Sequence, residues 1–346
     1  MLQTRFTREY GVELPVISAG MAFVARAPLV AAVSAGGGFG TLGASGMPVD
    51  LLQAEIEAIR AHTDRPFGVN FIPRFVDAAH VTVCAAEHVS AVTFFWDEPD
   101  PGWVQTLREA GTRVWVQAGS PEQAREAVAS GADAVIAQGS EAGGHNLGVA
   151  GTMSLVPAVL DAVAPVPVFA AGGVADGRGL VAALALGADA AVFGTRFLAA
   201  EEADANRDYQ QRIVDSQVGD TARHSVFGFD FPDAPVRGVR NSIVREWEKR
   251  DDPPPYRELD PETQPIIGTA SVFGQEVPMP TFTGLPPTRA ASGDLEQMSL
   301  LAGESSGLIH DIPSAGEILR RIADEASTII SGLTAARLSH TAVPSE

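Results

Sequence analysis

The sequence predicts an α/β barrel of eight parallel strands, each followed by a helix, with a smaller region towards the C-terminus. Two observations predict it. Short apolar segments alternate with amphipathic segments from residue 14 to residue 200, which is typical of parallel strands joined by helical crossovers. Similar turns recur between a helix and the next strand, as at residues 130–133 and 186–189. The count of eight strands favours a closed barrel over an open doubly wound sheet.

The predicted elements follow one another along the chain without a gap. The helix predicted at 50–62 has Asp50 as its N-cap, and the helix at 121–130 begins at Ser120-Pro121 and is closed by Gly131. The other helices are predicted at 28–35, 75–87, 102–110, 152–163 and 177–186. The strands are predicted at 14–19, 40–43, 67–71, 91–95, 113–117, 134–138, 167–171 and 190–193.

The character of the sequence changes after residue 200. Residues 201–218 are polar and predict a helix, and 295–302 is also helix-like. Residues 219–287 are rich in Pro, aromatic and charged residues without a clear period, and include the acidic and proline run 251–255. This segment is too long for a barrel loop. Residues 315–336 have a strong helical period that predicts a helix packed back on the barrel. We therefore expect a barrel at 1–215, a lid at 216–300 and a closing segment at 301–346.

Composition narrows the function to small-molecule chemistry. The chain has 24 basic and 43 acidic residues among 346, a net charge of −19, which disfavours binding to nucleic acid or to an anionic membrane. Cys84 is the only cysteine, in a predicted helix, so no internal disulfide is possible. The first ten residues lack the apolar core of a signal peptide, and charges at Asp189 and Arg196 interrupt the longest apolar run. We expect a cytoplasmic protein.

One stretch, residues 134–145, has the features of a catalytic loop. An apolar strand ends at the polar Gln138 and is followed by a Gly-rich loop that carries Gly143, Gly144 and His145. In barrels the carboxyl ends of the strands carry the catalytic residues. His145 is therefore the candidate catalytic residue, although a solvated loop histidine is the simpler alternative. His62, His80 and His88 fall on predicted barrel helices and are expected at the surface, and no histidine pair has the spacing of a metal site.

A phosphate site is predicted between the last two barrel strands. Gly172 and Gly173 follow the seventh predicted strand, and Gly194 and Thr195 follow the eighth. Barrels commonly bind phosphate there through backbone N–H groups, and glycine lets the backbone approach the ligand. Tight turns alone would also account for these glycines.

Two further motif matches have the wrong context. Residues 38–43 match the dinucleotide-binding fingerprint, but a predicted helix precedes them and the glycines lie in the strand itself. Residues 303–307 match the nucleophile elbow of serine hydrolases, but they follow a helix-like segment in place of a core strand. A serine hydrolase is therefore a disfavoured alternative.

Several motifs in the same order resemble the nitronate monooxygenase family of FMN-dependent barrels. They are residues 15–21, 68–71, 138–145, 170–178, 194–197 and 302–309. The resemblance implies FMN, with its phosphate on Gly172, Gly173, Gly194 and Thr195 and its isoalloxazine against Ala19, Gly20 and Met21. It implies that Asn70, Gln138 and Gly143 contact the flavin edge and ribityl chain, and that His145 is the catalytic base.

The activity that the resemblance implies is oxidation of nitroalkanes or alkyl nitronates by O2 to carbonyl compounds and nitrite. A nitroalkane must lose an α-proton, and a neutral imidazole suits that task near pH 7. A homodimer is an expected assembly. The chain departs from the family pattern where residues 146–150 intervene between Gly-Gly-His and Gly151-Thr152, beside the expected substrate site.

Reductases remain an alternative. The same scaffold resembles FMN-dependent NAD(P)H reductases that act on quinones or on enoyl thioesters such as enoyl-acyl-carrier protein, and nothing in the sequence separates the two activities. A basic patch for an acyl carrier would favour the reductase, but the residues available are more simply a solvated helix face; they are Arg237, Arg240, Arg245, Lys249 and Arg250. A flavin-free binding protein would require His145 to be incidental.

Overall fold

The computed structural model describes residues 2–228, 231, 234–250 and 260–340, and it contains the predicted eight-stranded barrel. The barrel strands are β1 (Val16–Ser18), β2 (Gly40–Gly43), β3 (Phe67–Phe71), β4 (Ala91–Phe94), β5 (Arg113–Ala118), β6 (Ala134–Gln138), β8 (Val168–Ala171) and β9 (Ala190–Phe193). They are parallel, in the spatial order β1-β9-β8-β6-β5-β4-β3-β2, and a parallel bridge between Ile17 and Phe39 brings β1 to β2.

Helices surround these strands, and several begin with a capping side chain. The N-cap predicted at Asp50 was wrong: that helix begins at Val49 after Pro48, without a side-chain cap, so Asp50 lies in its first turn. The helices are α1 (Arg5–Tyr10), α2 (Ala27–Ala35), α3 (Val49–Arg60), α4 (Ala78–Ala86), α5 (Pro101–Glu109), α6 (Pro121–Ala129), α7 (Thr152–Val163), α8 (Gly177–Ala185) and α9 (Thr195–Leu198). Ser120 accepts a hydrogen bond from the Gln123 N–H at the start of α6, and Asp77 does the same for the Ala79 N–H in α4.

An aromatic cluster fills the barrel interior beneath the site. Phe6 and Tyr10 of α1 pack against Phe39, Trp115 and Phe169, with ring centroids 4.9 to 6.1 Å apart. The Trp115 Nε1–H donates to the Tyr10 hydroxyl at 2.6 Å, which satisfies a buried indole. Because α1 covers this end, the ligand cavity lies towards the carboxyl ends of the strands.

The region after the barrel contains two small antiparallel sheets that the sequence did not predict. In the first, β10 (Thr221–His224) pairs with β11 (Val236–Val239), and β11 pairs with β7 (Gly144–His145). The second contains β12 (Ile266–Val272), β13 (Gln275–Pro280) and β14 (Ser292–Gly293). The part of the chain from β10 to β14 is called the inserted region below. The first sheet joins it directly to the loop that carries His145. The division of the chain into a barrel, a lid and a closing segment stays a prediction.

Two helix predictions were wrong. The helix predicted at 201–218 is present only as α10 (Arg207–Val214), because the Asn206 side chain caps it by accepting from the Asp208 and Tyr209 N–H groups. The helix-like segment 295–302 forms one 3-10 turn at Leu295–Gln297, after which the Val239 N–H donates to the Leu300 carbonyl at 2.8 Å. In the first segment a local cap sets the helix start, and in the second a contact remote in sequence overrides the local pattern.

Two surface predictions were also wrong. His80 is buried, because its Nε2 donates to the Met47 carbonyl at 2.8 Å while Nδ1 lies 2.8 Å from Asp77. Arg237 lies on a strand with its side chain only 11% exposed, and Arg240 follows that strand, so neither belongs to a solvated helix face. The helix nearby is α11 (Ser242–Glu248). The acidic and proline run at 251–255 lies outside the residues that the structure describes.

The predicted C-terminal helix is present as α12 (Ala315–His340) and packs on the barrel. The Gly177 N–H at the start of α8 donates to the Glu325 carboxylate at 2.8 Å. An added Cβ at Gly177 would lie 2.5 Å from the Ala326 nitrogen, so the glycine allows the two helices to approach closely. Within the described part of the chain, no helix is long and apolar enough to cross a membrane.

Candidate active site

A cavity of about 400 Å³ opens at the carboxyl ends of the barrel strands, a volume within the range of small-molecule sites. It brings together every residue predicted for the site. These are Ala19, Gly20, Met21, Asn70, Gln138, Gly143, His145, Gly172, Gly173, Gly194 and Thr195. Among the described residues that line the cavity there is no Lys, Arg, Asp or Glu. The site is therefore polar through amides, hydroxyls and backbone groups, without formal charge.

Four backbone N–H groups at one end of the cavity suit an anion. The N–H groups of Gly172, Gly173, Gly194 and Thr195 have no hydrogen-bond partner within the described residues. Gly172 and Gly173 have φ values of 102° and 73°, which disfavour any residue with a Cβ. An added Cβ on Gly194 would meet only the Ala19 Cβ, at 3.7 Å. Unpaired amides around an open space are a typical phosphate-binding arrangement.

Gln138 presents an unsatisfied acceptor to the cavity. Its side chain is buried at the end of β6, and Nε2 donates to the His145 carbonyl at 3.1 Å. This bond fixes the amide orientation and leaves Oε1 without a partner among the described residues. The Thr41 Oγ1 is buried and equally unsatisfied in the same cavity. Buried polar atoms are rarely left unpaired, so these two atoms suit a ligand with hydrogen-bonding groups.

Glycines at the rim serve close packing of the chain. An added Cβ on Gly20 would lie 2.3 Å from the Asn70 Cβ, and one on Gly143 would lie 2.4 Å from the Gly303 nitrogen. Gly143 is therefore required by contact with the C-terminal segment. The Gly303 N–H in turn donates to the Thr195 Oγ1 at 2.9 Å, so the same segment reaches the candidate phosphate site.

His145 lies on β7 with one imidazole nitrogen held by the backbone. Its Nδ1 is 3.1 Å from the Ala234 carbonyl, which can only accept, so Nδ1 carries the proton and Nε2 keeps its lone pair. The rings of Phe231 and Trp96 lie edge-to-face with the imidazole, at centroid distances of 4.6 and 5.8 Å. Burial lowers the pKa of His145 from 6.5 to about 4, against the opposing effect of the backbone contacts. The imidazole is therefore neutral at pH 7.

Sequence reasoning missed several residues that contact His145 or line the cavity with it. Trp96 follows β4 with a φ of 80°, a value that is unusual for an aromatic residue, and the sequence offered only its position after a strand as a signal. Phe231 and Leu285 lie in the region without a period, where no signal was available. Asp97, also near the mouth, forms an ion pair with Arg74 and does not line the cavity.

Comparison with known proteins identifies relatives along most of the chain. A family model described as nitronate monooxygenase matches residues 3–79 and 72–325. A curated protein of Mycobacterium tuberculosis is 35% identical, over 94% of this chain and 97% of its own; it is named (3aS,4S,5R,7aS)-5-hydroxy-7a-methyl-1-oxo-octahydro-1H-indene-4-carboxyl-CoA dehydrogenase. A probable nitronate monooxygenase of Staphylococcus saprophyticus is 34% identical, over 72% of this chain and 82% of its own.

Solved structures are similar over nearly the whole fold. FabK from Thermotoga maritima superposes with a TM-score of 0.79 and 34% identity, over 97% of this chain and 100% of that one. A nitroalkane oxidase from Streptomyces ansochromogenes superposes with a TM-score of 0.76 and 29% identity, over 95% of this chain and 99% of that one. Together with the match to the family model, these relatives show that the chain belongs to the nitronate monooxygenase family of oxidoreductases.

Proposed function

We propose that the protein is an FMN-dependent oxidoreductase that converts nitroalkanes or alkyl nitronates and O2 to carbonyl compounds and nitrite, with His145 as the base. The observation that carries this proposal is the neutral imidazole of His145, with Nε2 free, beside a cavity whose unpaired polar groups match a flavin mononucleotide. An unprotonated base is required because the substrate must lose a proton from carbon.

The residues present fit FMN. The unpaired N–H groups of Gly172, Gly173, Gly194 and Thr195 would hold its phosphate. The Gln138 Oε1 would accept from an N–H of the flavin ring, Ala19, Gly20 and Met21 would lie against the isoalloxazine, and Asn70 and Gly143 would contact its edge and ribityl chain. When bound, FMN supplies the capacity to take electrons from a carbon-centred donor and pass them to oxygen.

The surroundings of His145 define how it can work as a base. Nε2 takes the α-proton of the substrate, and the Ala234 carbonyl holds Nδ1–H so that the imidazole keeps one orientation as it becomes charged. The depressed pKa makes the imidazole a weak base but keeps it unprotonated at neutral pH. Because no charged side chain lines the described cavity, a neutral nitroalkane enters at lower desolvation cost than a nitronate anion.

A second candidate is an FMN-dependent NAD(P)H reductase or a dehydrogenase that acts on a thioester or a quinone. Two observations favour it. The Mycobacterium relative with a carboxyl-CoA substrate in its name matches 97% of its own length, more than the 82% of the Staphylococcus saprophyticus relative. The described lining of the cavity also lacks a cation that would pair with a small anionic substrate. In this reaction His145 would exchange a proton with the carbon next to the carbonyl group.

Two experiments test the proposal. In the first, His145→Ala is compared with wild type on a neutral nitroalkane and on its preformed nitronate, with His62→Ala, an exposed histidine on the barrel exterior, as the matched control. We expect flavin to stay bound and the neutral substrate to lose far more turnover than the nitronate. Equal loss on both substrates would contradict the base role.

The second experiment separates the two candidate functions. NADH is added anaerobically to the purified flavoprotein while the flavin absorption band is followed. A band that persists until a nitroalkane is added supports nitroalkane oxidation. Rapid bleaching by NADH would move the function to the reductase. A protein that neither carries nor binds FMN would overturn both.

A further inference from the structure

Arg237 connects three segments of the wall behind His145. Its Nε donates to the Ser140 carbonyl at 2.8 Å, and its Nη1 lies 3.3 Å from the Thr221 Oγ1 and 3.1 Å from the Glu304 carboxylate. The side chain is only 11% exposed. One guanidinium therefore holds the start of the catalytic loop, a strand of the inserted region and the C-terminal segment.

The backbone of Arg237 adds to this connection. In the β7–β11 pairing, Arg237 is opposite Gly144 and Val236 is opposite His145. The Ala302 N–H donates to the Arg237 carbonyl at 3.2 Å, and the Glu304 N–H donates to the Glu141 carbonyl at 2.9 Å. The loop, β11 and residues 302–304 thus form one closed hydrogen-bonded unit around this side chain.

We propose that Arg237 is a positioning residue that holds the loop at residues 139–146 so that the Nε2 of His145 faces the substrate. This inference rests on the proposed role of His145 as the base. The loop needs such support because it contains two adjacent glycines, one of which has a φ of 75°. If Arg237 did not donate to the Ser140 carbonyl, the first half of this loop would have one hydrogen bond fewer to hold it.

The chemistry of the side chain explains why an arginine lies there. A cation with so little exposure is costly unless it is paired and hydrogen-bonded, and Arg237 has partners of both kinds. The planar guanidinium donates in several fixed directions at once, towards a carbonyl, a hydroxyl and a carboxylate. A lysine offers one compact ammonium group and cannot reproduce these directions. Misplacement of a catalytic group by about 1 Å can cost on the order of 100-fold in rate.

The test compares Arg237→Gln and Arg237→Lys with wild-type holoenzyme. The matched control is Arg240→Gln, because Arg240 is close in sequence but bonds to the Gly219 and Thr221 carbonyls and to Glu248, away from the loop. The measurements are kcat and KM on a neutral nitroalkane and its nitronate, the Kd of FMN, and hydrogen exchange of residues 139–146.

We expect Arg237→Gln to lower kcat on the nitroalkane by about 10- to 100-fold, with a smaller loss on the nitronate. KM and the FMN Kd should change about threefold or less, exchange in the loop should increase, and Arg237→Lys should recover part of kcat. Unchanged kcat and unchanged exchange in Arg237→Gln would overturn the proposal. A parallel loss of FMN affinity, or an effect equal to that of Arg240→Gln, would also overturn it by showing a general structural role.

The design keeps this inference separate from the proposed function. If the wild-type protein turns over no nitroalkane, the proposed function fails, while the exchange comparison still decides whether Arg237 holds the loop. If Arg237→Gln does not fold, Arg237→Lys decides: wild-type kcat and wild-type loop exchange in that variant would contradict a need for the guanidinium geometry.

Discussion

Phe231 should control the pKa of the His145 imidazole, the proposed base. Its ring lies 4.6 Å from the His145 ring at an interplanar angle of 74°, and it also contacts Trp96 at 5.1 Å. Burial is the main cause of the low pKa of His145, about 4 against an ordinary 6.5. Truncation to Phe231→Ala would admit water to one side of the imidazole. We therefore expect the pKa to rise from about 4 towards 6.5.

The size of the effect follows from the fraction of neutral imidazole. At pH 5.5, a group with a pKa of about 4 is about 97% neutral, whereas one with a pKa of about 6.5 is about 9% neutral. Complete loss of shielding would therefore lower the rate at pH 5.5 relative to the rate at pH 8 about tenfold, whatever gain in base strength the higher pKa brings at both pH values. Trp96 remains in contact with His145, so the observed shift should be a part of this range.

The assay is the pH profile of kcat/KM on a neutral substrate between about pH 4.5 and 8.5. Wild type should be nearly flat over most of this range because its pKa is about 4, whereas Phe231→Ala should fall at the acid end. Phe75→Ala is the control, because Phe75 lines the same cavity and packs on Phe231 at 5.4 Å. Arg74 stacks over Phe231 and pairs with Asp97, and it would lower the pKa of His145 if it moved inward. A uniform rate loss without an added fall at acid pH would refute the reasoning and assign Phe231 to substrate binding.

Two further variants test the phosphate site and the inserted sheet. Gly173→Ala, at a φ of 73°, should lose FMN. The control is Gly111→Ala, at a φ of 81° in open space remote from the cavity, which should lose about 1 kcal/mol of stability and keep its flavin. Equal flavin content in the two variants would argue against the phosphate assignment. Burial lowers the pKa of His224 in the folded protein to about 4, from an ordinary 6.5. As pH falls below about 6.5, the unfolded chain therefore takes up a proton at this histidine that the folded chain does not. The free energy of unfolding should accordingly decrease as pH falls towards 4. His224→Phe should reduce this loss in urea unfolding at pH 5 relative to pH 7.5, and identical pH dependence in both proteins would contradict the assigned cause.

The barrel could be predicted from the sequence because its strands are buried on both faces. All five residues of β6 are buried, and a continuous apolar run of that length between two helices is typical of a parallel strand in a barrel. The same reasoning predicted that Gln138 and His145 lie at the cavity, since residues at the carboxyl end of a barrel strand are at the catalytic face of such barrels. His80 shows the limit: its burial depends on the Met47 carbonyl, 33 residues away, which no local pattern reveals.

The inserted region could not be predicted because its strands are short and mixed in burial. The β12 strand has one buried residue among seven, at Ala270, so no period of two is visible in its side chains. Besides β10, the partners of β11 lie in the loop that carries His145 and at Leu301, far away in the chain. Pairing of this kind leaves almost no trace in local sequence.

The barrel and the inserted region contribute different parts of the site. The barrel supplies the groups that suit the cofactor, and those were predictable: Gln138 and the glycines after β8 and β9. The environment of His145, the proposed base, comes largely from the inserted region, through the Ala234 carbonyl, the Phe231 ring and the Arg237 guanidinium. Two proteins with the same barrel motifs can therefore hold their histidines at different pKa values and in different orientations. Substrate choice within this family should accordingly follow the inserted region more closely than the glycine motifs, which is why nitroalkane oxidation and thioester chemistry must be separated by experiment on this chain.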